Sequence, residues 1–208
     1  MLIEPVRKRV IAFIDGQNLY HAAKEAFGYP YPNYDVGKLA HAVAVQQGWD
    51  CVGVQFYTGV PEVTDHDFWH AFWNMKLAAM GTRGIRVFRR SLRYRNQTVR
   101  LPDGRTHTFL VGQEKGIDIR LALDIVHAVR TNQCDVALVF SQDQDLSEVA
   151  EEVRAISLEQ NRWVKMASAF PVSPTTRNRR GINKTDWIRV DRAIYDACID
   201  PADYRPKA

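Results

Sequence analysis

Apolar residues follow two rhythms along this chain. Val10-Ile11-Ala12-Phe13-Ile14 and Val136-Ala137-Leu138-Val139-Phe140 are short unbroken runs, as expected of strands buried on both faces. Between them, apolar positions recur every three or four residues, the period of a helix with one buried face. From Asp35 to Gln47 the positions Val36, Leu39, Ala40, Val43 and Ala44 share such a face, and Asp35 is placed to cap it. Thr64 to Met80 predicts a second helix, with Phe68, Phe72, Met75 and Met80 near one face and Trp69, Trp73 and Leu77 beside it. A third spans about Glu114 to Arg130 on Ile117, Leu121, Ile125 and Val129, and a fourth follows Asp145. Strands are expected at about 9–14, 51–58, 85–89, 135–140 and 163–167. Strands alternating with helices predict an α/β protein with a mostly parallel central sheet.

One stretch breaks the alternation. Leu92-Arg93-Tyr94-Arg95 and Thr106-His107-Thr108-Phe109-Leu110 alternate in polarity around the turn-forming Leu101-Pro102-Asp103-Gly104-Arg105, which predicts an inserted β-hairpin over about 91–111. Pro171 to Lys184 is polar and basic, carries Pro171, Pro174 and Gly181, and reads as a mobile loop. No repeat or low-complexity tract interrupts the 208 residues, a length suited to one domain over 1–208.

Composition changes this picture little, and charge placement changes it more. Apolar residues at 46% and charged residues at 25% are ordinary for a globular protein. No apolar run approaches a membrane span, so no membrane partner is expected. Cys51, Cys134 and Cys198 match neither a zinc site nor a disulfide framework, and a reducing cytoplasm is the expected location. The net charge is only +4, but arginines crowd into 83–105 against the single acid Asp103, and again at Arg177, Arg179 and Arg180 with Lys184. Separate arginine clusters suit a polyanion held along its length. Arg89, Arg90, Arg93, Arg95, Arg177, Arg179, Arg180 and Lys115 are the candidate nucleic-acid contacts. Tyr94 joins them, because aromatic and guanidinium faces both stack on unpaired bases.

The acids carry the candidate chemistry. Asp15 ends the first apolar run, Asp118 opens the third helix, and Asp143 and Asp145 follow the run that ends at Phe140. In open α/β sheets the rim at the strand ends is where ligands sit. Carboxylates on separate elements at that rim make a site for Mg²⁺ or Mn²⁺, which take hard oxygen ligands. Such an ion can activate water and neutralise a leaving oxygen in phosphodiester hydrolysis. Each acid also has a plainer reading: Asp15 and Asp145 as helix caps, Asp118 as a first-turn acid favoured by the helix dipole. Asp124 lies six residues beyond Asp118, about 120° around the helix axis, and is the weaker additional ligand.

Phe13-Ile14-Asp15-Gly16-Gln17-Asn18, Lys115-Gly116-Ile117-Asp118 with Leu121-Ala122-Leu123-Asp124, and Val139 to Leu146 together resemble the NYN family, relatives of the PIN-domain nucleases, over roughly residues 9 to 190. Thr185-Asp186-Trp187-Ile188 falls near that family's closing strand. The resemblance implies a PIN-like three-layer α/β/α sandwich and metal-dependent endoribonuclease activity. It implies Asp15, Asp118 and Asp143 as metal ligands and catalytic residues, and Asn18 as a positioning residue. One position departs from the pattern: the third motif usually reads Ser-Gly-Asp, and here Gln142 stands for the glycine. If that backbone needed φ > 0 or close approach to a phosphate, Gln142 would carry a cost. A catalytically weak RNA-binding module is therefore the alternative to a ribonuclease acting on single-stranded or loop RNA. A haloacid-dehalogenase-type phosphatase needs an acid where Gln17 stands, and a Toprim-type enzyme needs glutamate where Asp15 stands. The doubly aromatic helix leaves a homodimer contact open.

Overall fold

The computed structural model describes residues 2–206. Six strands form one parallel sheet: β1 (Arg9–Asp15), β2 (Asp50–Val60), β3 (Arg86–Ser91), β6 (Val136–Phe140), β7 (Lys165–Pro171) and β8 (Asp186–Val190). The remaining two, β4 (Arg93–Arg100) and β5 (Thr106–Gln113), pair antiparallel as the inserted hairpin. The helices are α1 (Gly16–Phe27), α2 (Val36–Gln46), α3 (Asp67–Thr82), α4 (Ile117–Arg130), α5 (Ser147–Glu159) and the short α6 (Arg192–Asp196).

Sheet order is β3-β2-β1-β6-β7-β8. The chain steps outward from β1 to β3, returns to the other side of β1, and steps outward again to β8. The connections after β1 and β6 thus leave in opposite directions, and the crevice at their C-terminal ends is the topological switch point of the sheet.

Two apolar cores explain why the central strands read as unbroken runs. Val10, Ala12 and Ile14 of β1 pack on one face against Leu19 of α1, Leu39 and Val43 of α2, Phe72 and Leu77 of α3, and Tyr195 of α6. Ile11 and Phe13 face the other side, against Leu121 and Ile125 of α4 and Val149 and Val153 of α5. Three layers result, as expected of a PIN-like sandwich, and β1 at the centre is buried on both faces. The edge strand β8 instead alternates, with Ile188 and Val190 inward and Trp187 and Arg189 outward.

The aromatic helix α3 is less amphipathic than its pattern suggests. Phe72, Trp73, Leu77 and Met80 are buried, and so is Lys76, whose ammonium donates to the Tyr34 carbonyl oxygen at 2.9 Å. Arg83, just past α3, bridges Asp35 and Asp200 at 2.9 and 3.0 Å and ties the C-terminal segment to the start of α2. Most of the large rings are used inside this one chain, so the expected dimer contact gains no support from them. The periodic pattern does not mark two helices: α1, whose buried face is half alanine, and α6, which has little more than one turn. Among the described residues no helix is long and apolar enough to cross a membrane.

Candidate metal and nucleic-acid site at the switch point

Asp15 is the last residue of β1 and is 4% exposed. Its Oδ1 accepts the backbone N–H of Asn18 at 3.0 Å, which caps α1, and its Oδ2 accepts the Ser141 hydroxyl at 3.1 Å. The helix-cap reading of this carboxylate therefore holds, and the cap stands at the rim of the sheet. The helix can start this close to the sheet because position 16 is glycine. A Cβ there would lie 2.5 Å from the Phe56 ring and 2.9 Å from the Tyr57 carbonyl oxygen. Burial raises the Asp15 carboxyl from 3.8 to about 6; the Asn18 and Ser141 hydrogen bonds oppose the rise, and the charges of Asp118 and Asp143 add to it.

The segment after β6 is clamped to the same place. The Asn18 side-chain oxygen accepts the backbone N–H of Gln142 at 3.0 Å, joining the start of α1 to the third motif across the switch point. Ser141 Oγ accepts the N–H of Asp143 at 3.1 Å while donating to Asp15. Asp143 Oδ1 accepts the N–H of Asp145 at 3.0 Å and caps a single 3-10 turn, Gln144–Leu146, leading into α5.

Gln142 does not need the freedom of glycine. Among the described non-glycine residues, positive φ occurs at Asn132, Asn161 and Lys184 only. Its side chain does something a glycine could not. Gln142 Nε2 donates to the carbonyl oxygens of Arg180 at 2.8 Å and Asn178 at 3.2 Å. Gln144 Nε2 donates to those of Gly181 and Gln142, both at 3.0 Å, and its Oε1 accepts the N–H of Asn183 at 3.2 Å. These two amides strap the segment 172–185 beside the acids. Ser168 adds a third tie by accepting the N–H of Ile182 at 3.2 Å. The expectation of a mobile loop is corrected accordingly, since the straps join residues 36 to 39 apart in sequence and no local pattern reveals them.

Asp118 lies in the first turn of α4 and is exposed at the rim. Its carboxyl is raised by partial burial and by the charges of Asp143 and Asp145. The residue before the helix, Gly116, has φ 76°, and a Cβ there would meet the Arg90 guanidinium at 2.4 Å, so this turn does require glycine.

Glu114 was missed by sequence reasoning. It accepts the backbone N–H of Gly59, and burial followed by the charges of Asp15 and Asp118 pushes its carboxyl up to about 7. Its position four residues before Asp118 was the available signal, but its partner lies 55 residues away. Asp124 is turned to other work: Arg120 binds it at 2.8 and 2.9 Å, and the Tyr57 hydroxyl lies 2.8 Å from it.

The basic residues divide by location. Arg89 and Arg90 sit at the end of edge strand β3, where Arg89 donates to Asn74 at 2.6 Å and Arg90 to the Lys115 carbonyl oxygen at 3.4 Å. Arg177, Arg179 and Arg180 belong to the strapped segment. The Arg179 side chain is used by that segment's own carbonyls, at Thr176 and Pro174, whereas Arg177 and Arg180 are exposed. Arg93 and Arg95 project from the hairpin, while Tyr94 is half-buried, its hydroxyl raised by burial and then by Asp65. Lys115 is exposed beside Asp118.

Among the described residues no three acid, histidine or cysteine side chains converge tightly enough to form a ready-made metal cage. The donor set nonetheless suits a hard cation: burial first, and then the charges of the neighbouring acids, raise the carboxyls of Asp15, Glu114 and Asp118. A divalent ion would relieve that repulsion, and Mg²⁺ keeps several waters and needs only one or two carboxylates with substrate phosphate.

The fold is a three-layer α/β/α sandwich with acids around the switch point of its parallel sheet. The NYN domain model matches residues 9–170, and the chain belongs to the NYN family. The search of curated proteins finds no match. A protein of unknown function from Vibrio parahaemolyticus RIMD 2210633 is similar in structure, with TM-score 0.53, 16% identity, and coverage of 89% of this chain and 94% of that one. At that identity the likeness speaks to fold alone. A nucleoside kinase from Burkholderia thailandensis, solved with inosine, aligns over 79% of this chain and 50% of its own at 13% identity and a TM-score of 0.28.

Proposed function

We propose that this protein is a Mg²⁺- or Mn²⁺-dependent ribonuclease that hydrolyses phosphodiester bonds in single-stranded or loop RNA. The observation that carries the reading is the electrostatic coupling of Asp15, Asp118, Asp143 and Glu114, from three stretches of the chain around the switch point, with the carboxyls of Asp15, Asp118 and Glu114 raised by burial and then by the other acids' charges. Buried like charges are costly to maintain without a cation to balance them.

Asp15, Asp118 and Asp143 would hold the ion, with Asp145 beside them. When bound, the ion supplies an acidified water and neutralises charge on the scissile phosphate. The chain's own residues do the positioning. Ser141 and the Asn18 amide aim the Asp15 oxygens, and the Asn18 side chain fixes the Gln142 backbone. Glu114, held by Gly59 and with its carboxyl up to about 7, can take or release a proton near neutral pH. Arg177 and Arg180 on one side and Arg89, Arg90 and Lys115 on the other offer phosphate contacts. Those arginines, whose guanidinium faces can stack on unpaired bases, favour an unpaired strand over a duplex, whose bases are stacked away.

Gln142 in place of the usual glycine favours a non-catalytic module, but its φ is not positive, so the conformational part of that objection falls away. The test is incubation of the purified protein with labelled single-stranded RNA and with its duplex, in Mn²⁺ and in EDTA. Cutting of the single strand in Mn²⁺ alone is expected. Cutting that persists in EDTA, or no cutting in any divalent ion, would reject the reading.

A further inference from the structure

Next to the acids lies a small cavity of about 140 Å³. Tyr20, Trp69, Trp73 and Leu92 wall it, and the backbones of Gly16 and Gly59 form its near side. Those two glycines place it. Gly16 directly follows Asp15, and Gly59 donates its N–H to Glu114, so the cavity shares a wall with two of the rim acids. The Leu92 and Glu114 side chains close over the bare backbone of Gly59, where a Cβ would meet them at 2.4 and 2.7 Å. On its far side the cavity shares Pro61 with a broader cleft of about 500 Å³ that Arg89 and Arg90 line.

The lining is aromatic and preset. Trp69 is half-buried and stands edge-on to Phe72 with ring centroids 5.4 Å apart. Trp73 is 7% exposed and stands edge-on to Phe72 at 5.5 Å. Pockets for drug-sized ligands run to about 300–1,000 Å³, so this one has room for a single ring system. It is flanked on one side by acids suited to a metal-bridged phosphate and on the other by two arginines. An apolar ligand without phosphates would use neither flank. A nucleotide uses all three: its base stacks in the aromatic cavity while the phosphates on either side reach the acids and the arginines.

We propose that this cavity is the subsite for the base of a nucleotide flanking the scissile phosphate, and that Trp69 is its stacking platform. The proposal rests on the ribonuclease reading for its scissile phosphate, but its test does not need cleavage. The probe is fluorescently labelled tetra-adenylate, compared with the same ribose–phosphate chain lacking bases, bound in EDTA to the full-length protein. Wild type is expected to prefer the base-bearing chain. Trp69→Ala should cut that preference by about 5- to 150-fold, the range for losing one stacked base, while leaving affinity for the base-free chain unchanged. Leu92→Trp, which fills the cavity without removing a ring, should do the same and guards against a Trp69→Ala protein that fails to fold. Equal binding of the two chains by wild type, or a base preference that survives both variants, would overturn the subsite. Loss of the preference in Tyr94→Ala alone would also overturn it and place stacking on the hairpin. Base preference through Trp69 in a protein that cuts no RNA would uphold the subsite while the ribonuclease reading falls.

Discussion

Replacing Asp15 by asparagine should make the metal-free protein more stable, not less. In the folded chain the carboxyl is raised from 3.8 to about 6, mainly by burial at 4% exposure. Between about pH 4 and pH 6 the folded state keeps a proton that the unfolded chain has released, so stability falls as pH rises through this window. A rise of about 2 units corresponds to about 3 kcal/mol at 1.36 kcal/mol per unit, fully felt above pH 6. That is a large part of the 5–15 kcal/mol of a typical domain. Asparagine keeps the acceptor for the Asn18 N–H and the size of the side chain but carries no charge. Urea unfolding in EDTA should therefore show Asp15→Asn ahead of wild type by about 3 kcal/mol at pH 8, with the advantage gone by about pH 4. Adding Mn²⁺ should reverse the order. A cation at a thousand times its Kd stabilises the folded state by about 4.1 kcal/mol, more than the lead of the variant, and wild type alone should gain it. An Asp15→Asn protein that is less stable than wild type at pH 8, or whose advantage is the same at every pH, would refute a strained carboxylate at this position.

Three further outcomes follow from the same geometry. Glu114→Gln keeps an oxygen for the Gly59 N–H, so the fold should stand while RNA cleavage falls by about 10²-fold or more, as for loss of a proton-transfer group; cleavage within a few-fold of wild type would remove Glu114 from the site. Gln142→Gly restores the usual family residue but deletes the straps to Asn178 and Arg180, each hydrogen bond worth about 1 kcal/mol, so limited trypsin digestion should cut faster at Arg177, Arg179 and Arg180; an unchanged digestion rate would mean that the straps do not hold the segment. Arg177→Ala with Arg180→Ala should lower the log–log salt dependence of RNA affinity by about 0.7 per lost contact, with Arg93→Ala and Arg95→Ala having the smaller effect because the hairpin projects from the sheet; the reverse order would move the substrate track to the hairpin.

What was legible in the sequence is what local periodicity encodes. The unbroken runs of β1 and β6 follow from burial on two faces, and the hairpin from a turn between two alternating stretches. Helix α1 escaped because half of its buried face is Ala22, Ala23 and Ala26, which carry little apolar contrast, and because Gly16 and Asn18 at its start are poor helix formers. Strand β8 is an edge strand with three exposed residues among five, so only Ile188 and Val190 mark it. In the site, the acids at strand ends could be read because a strand end is itself a position in the fold. Glu114 could not, since a backbone N–H of β2 selects it. Nor could the straps of Gln142 and Gln144 to a distant segment, although Gln142 itself stands out as a departure from the motif.

Whether a metal held by the switch-point acids acts on the scissile phosphate is read from cleavage of a single-stranded RNA with sulfur replacing a non-bridging oxygen at the cut position. Sulfur binds the hard Mg²⁺ poorly and softer ions better. Cleavage of the sulfur-substituted strand should be strongly slowed in Mg²⁺ and restored in Mn²⁺ for wild type, with neither ion supporting cleavage by Asp118→Asn or Asp143→Asn. Equal rates on the oxygen and sulfur strands in Mg²⁺, together with full activity in both variants, would contradict the account.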